Sequence, residues 1–262
     1  MDVLARIMAE RRAAVQTDQA AVPLAQLEKR AAGRVHHSLI ASLRAGTGTA
    51  ILAEVKKASP SAGLLRPEYD PAALAASYAA AGAVGISVLT EPLHFLGSAQ
   101  HVQAVRAAVN LPILRKDFMC DPYQVAEAAA WGADVILLIA AALTREQMVL
   151  LYRAAQDHGL DVLAEVHDRH ELEQVLGLER AVIGVNSRNL KTLKTDLATA
   201  RSLVAHIPGE RLAIAESGIR SRQEIEELEA LGYSGFLIGE SLLRQADPGM
   251  ALGLLRSPLP SS

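Results

Sequence analysis

Acidic and basic side chains close several short apolar runs of the chain. Glu54 and Lys56 end the run that begins near residue 50, Lys116 ends the run near 111, and Glu165 ends the run near 160. If each run is a strand of one parallel sheet, all of these groups gather at a single edge of it. Ammonium groups among carboxylates in a partly dry cavity tune one another's pKa, which is the equipment of acid–base catalysis.

The alternation of side chains along a strand refines this prediction. Glu54 and Lys56 are two residues apart and therefore share a face, and Lys116 shares its face with Leu114 and Phe118. Any one of these groups could form a structural ion pair, but their convergence on one face favours catalysis. Polar residues also end the later runs, at Asn186, Arg188, Glu216 and Ser217.

Glycines follow the last two runs, at Gly218 and Gly239. Glycine lets backbone N–H groups approach a ligand, and a short helix beginning there would direct its N-terminus at an anion. A lone glycine after a strand is usually only a turn. Two of them, opposite Lys56 and Ser59, favour a phosphate-binding site.

Cysteine and histidine chemistry is not indicated. Cys120 has no basic partner nearby in the sequence, so we interpret it as a packed thiol. The histidines show no metal-ligand spacing, and we interpret His167, which follows Glu165, as structural. We therefore expect no metal ion.

The elements that position these side chains follow from eight apolar, β-rich runs. Segments with helical periodicity separate the runs, which indicates alternating strands and helices around a parallel sheet. Units of roughly 20 to 35 residues, without a dinucleotide fingerprint, favour a closed (β/α)8 TIM barrel of the α/β class over an open doubly wound sheet. The runs span residues 50–55, 84–90, 111–117, 134–140, 160–166, 181–187, 212–217 and 234–239.

Helix boundaries are marked by recurring signals. An Asp-Pro pair opens a segment at residue 70 and again at residue 121, and a glycine closes each of them, at 82 and 132. Capping boxes are predicted at Thr144, Asp168 and Ser221, each followed three residues later by Gln or Glu. Residues 1–48 carry two amphipathic stretches, around 2–16 and 35–45, separated by a turn near Pro23 and Gly33. We predict one domain, with this helical extension packed on a barrel of residues 49–256.

Composition narrows the class of protein. Of 262 residues, 50% are hydrophobic and 21% charged, and the formal net charge is -3, which argues against nucleic acid and acidic membranes as partners. Cys120 is the only cysteine, and charged residues interrupt the N-terminal apolar positions, unlike a signal peptide. We expect a cytoplasmic protein, monomeric by default, with a homodimer left open.

The segments at the strand ends resemble indole-3-glycerol-phosphate synthases, and the resemblance runs from about residue 2 to 255. The first, third and sixth motifs are specific to that family. In order, the segments read AEVKKASPSAG from 53, SVLTEPLHFLGS from 87, LRKDFMCDPYQVAEA from 114, LLIAA from 137, LAEVH from 163, GVNSRNL from 184, AESGI from 215 and LIGESLL from 237.

The resemblance implies a carbon–carbon lyase of tryptophan biosynthesis that needs no cofactor. Its phosphorylated substrate is 1-(2-carboxyphenylamino)-1-deoxyribulose 5-phosphate, which undergoes ring closure, decarboxylation and dehydration to indole-3-glycerol phosphate. Lys116 would be the acid of ring closure. The division of the later proton transfers among Glu165, Glu54 and Lys56 stays open.

The resemblance also assigns binding roles. Asn186 would hold a sugar hydroxyl or the intermediate, and Arg188 the carboxylate-bearing end. Glu216 and Ser217 would complete the polar wall of the site. The apolar contacts for the ring would be Phe118 and Leu138, and the phosphate ligands would be Lys56, Ser59, Gly218, Gly239 and Glu240.

The sequence departs from the family pattern at three positions of the first two loops. Lys57 stands where arginine is common, and Ala62 and His94 stand where lysine is common. We therefore expect these departures to affect turnover and substrate affinity rather than the type of reaction. The competing hypotheses are another phosphate-binding barrel such as a phosphoribosylanthranilate isomerase, a Schiff-base aldolase barrel, and a barrel scaffold without activity.

Overall fold

Eight parallel strands close into a barrel in the computed structural model, which describes residues 3–46, 48–190 and 192–257. The strands follow one another around the barrel in chain order, and β8 lies beside β1. The predicted TIM barrel is therefore confirmed, and each strand falls within its predicted run. The strands are β1 Ile51–Val55, β2 Gly85–Leu89, β3 Ile113–Lys116, β4 Val135–Ile139, β5 Asp161–Val166, β6 Val182–Asn186, β7 Ala213–Glu216 and β8 Gly235–Ile238.

The strand register sends alternate side chains into the barrel and towards the surrounding helices. Leu52, Leu114 and Leu163 belong to the buried cluster inside the barrel. Ile51 and Leu138 belong to the larger cluster between the strands and the helices. Because the side chain changes face at every residue, this register decides which strand-end groups enter the mouth of the barrel.

Helices cover the outside of the barrel. Asp70 and Asp121 cap their helices with Pro at the first position, as predicted. Reciprocal capping boxes form at Thr144 and Ser221, whereas Asp168 caps its helix alone. The helices are α1 Val3–Ala21, α2 Leu24–Ala31, α3 Leu39–Arg44, α4 Pro71–Ala80, α5 Ala99–Ala108, α6 Pro122–Trp131, α7 Arg145–Asp157, α8 Arg169–Val175, α9 Ala198–Leu203, α10 Arg222–Ala230, α11 Glu240–Leu243 and α12 Pro248–Arg256.

The N-terminal extension differs from the prediction of two helical stretches. It holds three helices, since α1 continues to Ala21 and α2 was not predicted. Pro23 lies in the two-residue break between α1 and α2. Leu27 of α2 then packs in a buried cluster with Tyr123 of α6. Residue 2 of the predicted first stretch lies outside the described residues.

Polar contacts attach the extension to the barrel. Arg11 Nε lies 3.2 Å from Asp117 Oδ1, and Glu10 Oε2 lies 2.6 Å from the Nε2 atom of His94. Leu43 of α3 joins the cluster inside the barrel. None of the described helices is long and apolar enough to span a membrane.

A short antiparallel hairpin follows β1 and was not predicted. Ala58–Ser59 pairs with Gly63–Leu64. Two-residue strands carry too little periodicity to be read from a sequence. The hairpin lies beside the mouth of the barrel and forms part of its wall.

Candidate active site

A cavity of about 1000 Å³ opens at the carboxyl ends of the strands. All the acidic and basic strand-end residues predicted from the sequence line it together. Apolar side chains and further polar side chains share the remaining walls. The predicted residues on its lining are Glu54, Lys56, Lys116, Phe118, Glu165, Asn186, Arg188, Glu216, Ser217, Gly218, Gly239 and Glu240.

Lys116 stands between two buried carboxylates. Its Nζ atom lies 2.8 Å from Glu216 Oε2 and 3.3 Å from Glu165 Oε2. Burial alone would lower the pKa of Lys116, but the charges of Glu216, Glu165 and Glu54 outweigh it and raise that pKa. Lys116 is therefore a protonated acid directed into the cavity.

Glu216 is the carboxyl group that the site holds closest to neutrality. Burial and the nearby charge of Glu165 raise its pKa to about 7, although Lys116 opposes the shift. Its Oε1 atom is buried and accepts no hydrogen bond from the described residues. Gly184 of β6 leaves the room for this carboxyl, because a Cβ there would overlap Glu216 Oε1.

Glu165 is held in the ionised form. Burial favours its protonation, but Lys116, His167 and a hydrogen bond from Asn186 together lower its pKa. Asn186 is oriented by its own loop, since the backbone N–H of Arg188 donates to Asn186 Oδ1 at 2.9 Å. This contact occupies Asn186 Oδ1, so the amide NH₂ group is the one that donates to Glu165.

Glu54 and Lys56 form a second acid–base pair at the end of β1. Their side chains are hydrogen bonded and share one face, as their spacing predicted. Gly239 at the end of β8 gives Glu54 its space, because a Cβ at Gly239 would collide with the Glu54 carboxyl. The mouth therefore contains two lysines, each paired with acidic partners.

The turns after β7 and β8 also line the cavity. Ser217 and Gly218 both have positive φ, 64° and 88°, so the turn after β7 is sharp. A Cβ on Gly218 would come within 2.6 Å of Thr195 Cγ2, so the turn admits no side chain there. Gly239 precedes the short helix that begins at Glu240. This arrangement suits a small anion.

Arg188 bridges two loops and the start of α11. Its Nη1 donates to Ser61 Oγ at 2.8 Å, and its Nη2 donates to Glu240 Oε2 at 3.2 Å. Ser61 was not predicted from the sequence. Ser59, which was predicted, does not line the main cavity but lines an adjoining smaller one of about 100 Å³.

The apolar wall corrects one predicted residue. Leu138 does not line the cavity, because it faces outward into the cluster beneath the helices. Its neighbours Leu137 and Ile139 line the cavity instead. The alternation of side chains along residues 135–139 places Leu137 and Ile139 on one face and Leu138 on the other.

Phe95 is a lining residue that sequence reasoning missed. Its ring lies 6.0 Å from that of Phe118, tilted by 41°. The Glu91 carboxylate accepts hydrogen bonds from the backbone N–H groups of Leu93, His94 and Phe95 and shapes the loop. Nothing local in the sequence marks a residue that a loop carries into the mouth.

The remaining sequence candidates lie outside the cavity lining. Cys120 is half-buried, and its burial raises the pKa of the thiol. His167 lies behind Glu165. Over the described residues, no group of three or more His, Cys, Asp or Glu side chains is arranged to hold a metal ion.

The closed barrel and its charged mouth define an α/β-barrel protein equipped for proton transfer on a small anionic ligand. The sequence model of the family described as indole-3-glycerol phosphate synthase matches residues 4–254. The chain belongs to the indole-3-glycerol phosphate synthase family, and the predicted resemblance is confirmed.

Curated relatives match over nearly their whole length. An indole-3-glycerol phosphate synthase of Azospirillum brasilense is 48% identical over 255 residues, which cover 95% of this chain and 97% of the relative. Its counterpart in Rhodospirillum rubrum is 47% identical over 259 residues, covering 97% and 98%.

Solved structures share the fold at low sequence identity. A 3-hexulose-6-phosphate synthase from Salmonella typhimurium has a TM-score of 0.64 and 12% identity over 79% of this chain and 98% of that one. A tryptophan synthase alpha chain from Legionella pneumophila has a TM-score of 0.59 and 16% identity over 83% and 92%. These likenesses concern the barrel alone.

Proposed function

We propose that this protein catalyses the reaction for which its family is named. It converts 1-(2-carboxyphenylamino)-1-deoxyribulose 5-phosphate into indole-3-glycerol phosphate, carbon dioxide and water, as a carboxy-lyase of tryptophan biosynthesis. Family membership over residues 4–254 supports this reaction. Lys116, held between two carboxylates in the barrel mouth, is the single observation that carries the mechanism.

Lys116 acts as the acid of ring closure. As the aromatic carbon attacks the sugar carbonyl, negative charge develops on the carbonyl oxygen, and a buried ammonium group stabilises and protonates it. The raised pKa keeps Lys116 charged at neutral pH. Its two carboxylate partners fix its position before the substrate binds.

Decarboxylation then restores the aromatic ring, and dehydration completes the product. Dehydration requires one proton for the departing hydroxyl and the removal of one proton from the neighbouring carbon. Glu165 is the proton acceptor in this proposal, because its pKa is lowered and its carboxylate reaches the cavity. The Glu54–Lys56 pair supplies the proton to the hydroxyl.

The two ends of the substrate bind on different walls. The phosphate takes Lys56 and the backbone N–H groups around Gly218 and Gly239, where the turns leave room for an anion. The aromatic ring lies against Phe118 and Phe95. Binding both ends holds the reacting carbon near the carbonyl.

Arg188 and Ser59 complete the proposed contacts with the anionic ends. Arg188 lines the cavity from the loop after β6 and takes the substrate carboxylate. To do so it exchanges its contact with Glu240 for the ligand. Ser59 acts from the smaller cavity beside the hairpin and supports the phosphate loop rather than the reacting centre.

A fluorescence assay for indole-3-glycerol phosphate tests the proposal. Wild type is compared with Lys116→Met and with a matched control, Lys29→Met, on the exposed face of α2. We expect product from the wild type and the control, and a loss of about 10²–10⁴-fold in kcat for Lys116→Met. A folded wild type that forms no product would remove the proposed activity and leave a scaffold.

Three further measurements test the absence of a cofactor and the competing types of barrel enzyme. We propose that no cofactor takes part, so activity persists in EDTA. Borohydride with substrate should trap no covalent adduct at Lys116, whereas a Schiff-base enzyme would be trapped. Carbon dioxide release distinguishes the reaction from an isomerisation.

We further propose that the protein acts in the cytoplasm as a monomer, without nucleic acid or membrane partners. The formal net charge of -3 and the single cysteine support this proposal. Analytical ultracentrifugation checks the oligomeric state. A dimer at micromolar concentration would overturn the monomer.

A further inference from the structure

The imidazole of His167 lies between two carboxylates, one of which belongs to the proposed catalytic set. On one side its Nδ1 atom lies 3.1 Å from Glu171 Oε2, which also accepts the backbone N–H of His167 at 2.7 Å. On the other side its Nε2 atom lies 3.5 Å from Glu165 Oε1. The row of Glu171, His167 and Glu165 thus leads from α8 to the cavity.

The hydrogen bonds decide where protons must sit on this imidazole. Glu171 Oε2 accepts hydrogen bonds from this loop, so its contact with Nδ1 places a proton on Nδ1. Nε2 is buried and hydrogen bonded to no described residue, and it faces a carboxylate oxygen. Without a proton on Nε2, two lone pairs would face each other away from water, which is unfavourable. The arrangement is satisfied when His167 is an imidazolium.

We propose that His167 is a positioning residue for Glu165: clamped by Glu171 as an imidazolium, it holds the Glu165 carboxylate ionised and so sets the lower pH limit of the reaction. The inference rests on the proposed function for the role of Glu165 as proton acceptor. From the sequence we interpreted His167 as structural. Its contact with Glu171 of α8 is visible only in the structure.

The charges around His167 agree with this assignment. It is faced by Glu165 from β5, Glu171 from α8 and, farther off, Glu216 from β7, whereas Lys116 from β3 lies beyond Glu165. Burial alone would lower the pKa of His167, but the hydrogen bond to Glu171 and the surrounding carboxylates raise it. Three acidic groups thus face one imidazole.

The pH dependence of kcat tests the role of His167. His167→Asn keeps a donor towards Glu171, and His167→Gln keeps a donor towards Glu165, but neither carries a charge. Without the imidazolium the pKa of Glu165 rises, so Glu165 takes up its proton at a higher pH. We expect the acid limb of the profile to move up by about one pH unit in both variants, with kcat about tenfold lower below the limb.

Two further variants sharpen the comparison. His170→Gln on the exposed side of α8 is the matched control and should leave the profile in place. Glu171→Gln removes the clamp and should shift the limb in the same direction as the His167 variants. A merely structural role would lower stability without moving the limb, so superimposable profiles would overturn the proposal.

Nitrogen-15 NMR of histidine-labelled protein reads the charge of His167 independently of activity, and the His167→Asn spectrum assigns its signals. We expect an imidazolium at pH 7, above the usual histidine pKa of about 6.5, and a lower pKa in Glu165→Gln. A neutral His167 at pH 6.5 in the folded wild type would overturn the proposal. If the wild type forms no product at any pH, the proposed function fails, and the NMR titration alone decides the state of His167.

Discussion

At the scale of single residues, the buried charged groups of the barrel mouth are stabilised by oppositely charged neighbours. Lys116 remains charged in a buried site because Glu216 and Glu165 both face it. Removing one partner of such a group leaves an uncompensated buried charge, which costs more than the pair contributes. Burial drives the Glu216 carboxyl towards neutrality, and the nearby charge of Glu165 adds to that effect.

The raised pKa of Glu216 makes the stability of the protein depend on pH. Its pKa is about 7 in the folded protein against an ordinary 4.5, so the folded state holds a proton that the unfolded state has lost between those values. The stability contributed by this proton is present below pH 4.5 and is lost as pH rises through 7.

Glu216→Gln removes that dependence. We expect the free energy of unfolding of the variant, relative to the wild type, to increase by about 3 kcal/mol between pH 4.5 and 8. Urea unfolding at the two pH values measures the difference. An unchanged difference would mean that Glu216 is ionised throughout this range.

The sequence predicts which charged residues at the strand ends reach the cavity, but it does not predict all of the apolar residues that lie beside them. Glu54, Lys56 and Lys116 reach the cavity as their spacing indicated. The prediction that Leu138 lines the cavity was wrong. A sequence motif gives the type of a residue but not the direction of its side chain, and the strand register turns Leu138 outward. Phe95 depends on a loop whose shape arises from a buried carboxylate, and no pattern in the sequence announces it.

At the scale of elements, the strands make room for these groups by lacking side chains. Gly184 in β6 stands beside Glu216, and Gly239 at the end of β8 stands beside Glu54. Neither glycine is required by a positive φ, so its role is space rather than backbone freedom. Glu216 and Glu54 thus each have a glycine on a neighbouring strand.

Gly184→Ala tests this relation. The new methyl group would overlap Glu216 Oε1 and come within 3.0 Å of Leu163 Cδ1, so we expect a loss of about 1–3 kcal/mol in stability and a displaced Glu216. Measurements of kcat and urea unfolding report both effects.

The controls for this variant separate crowding from a general effect of alanine. Gly177→Ala meets no heavy atom within 4 Å and should leave both measurements almost unchanged. Combining Gly184→Ala with Glu216→Ala should recover part of the lost stability. Strict additivity of the two changes would contradict the steric explanation.

Helix boundaries were the most predictable elements, because capping signals are local. Asp121 and Thr144 cap their helices through backbone groups three or fewer residues away. Helix α2 was missed because it is short and follows Pro23, and its stability comes from packing on α6. Packing with a distant segment leaves no local signal.

At the scale of the whole molecule, the N-terminal extension and the catalytic mouth share one buried charge cluster. Asp117, next to Lys116, accepts hydrogen bonds from Thr90 at 2.7 Å and from Arg115 at 3.0 Å. Arg11 of α1 completes the cluster. The first helix of the chain is therefore attached one residue away from the proposed acid.

Arg11→Met should loosen that attachment. Asp117 would keep Arg115 and Thr90, so we expect a loss of about 2–3 kcal/mol, below the full cost of breaking a buried ion pair. Urea unfolding measures it, with Arg12→Met on the exposed side of α1 as the matched control. Equal stability of the two variants would show that the Arg11–Asp117 ion pair adds nothing to the attachment of α1.

The ring of strands has a consequence for how the chain is made. Ile51 of β1 pairs with Phe236 of β8, so one edge of β1 must wait until residue 236 has left the ribosome. The partners of α1, at His94 and Asp117, emerge much earlier. The nascent protein can therefore dock its first helix on a half-built barrel while the outer edge of β1 stays open, and that edge is where a stalled chain would be most prone to aggregate.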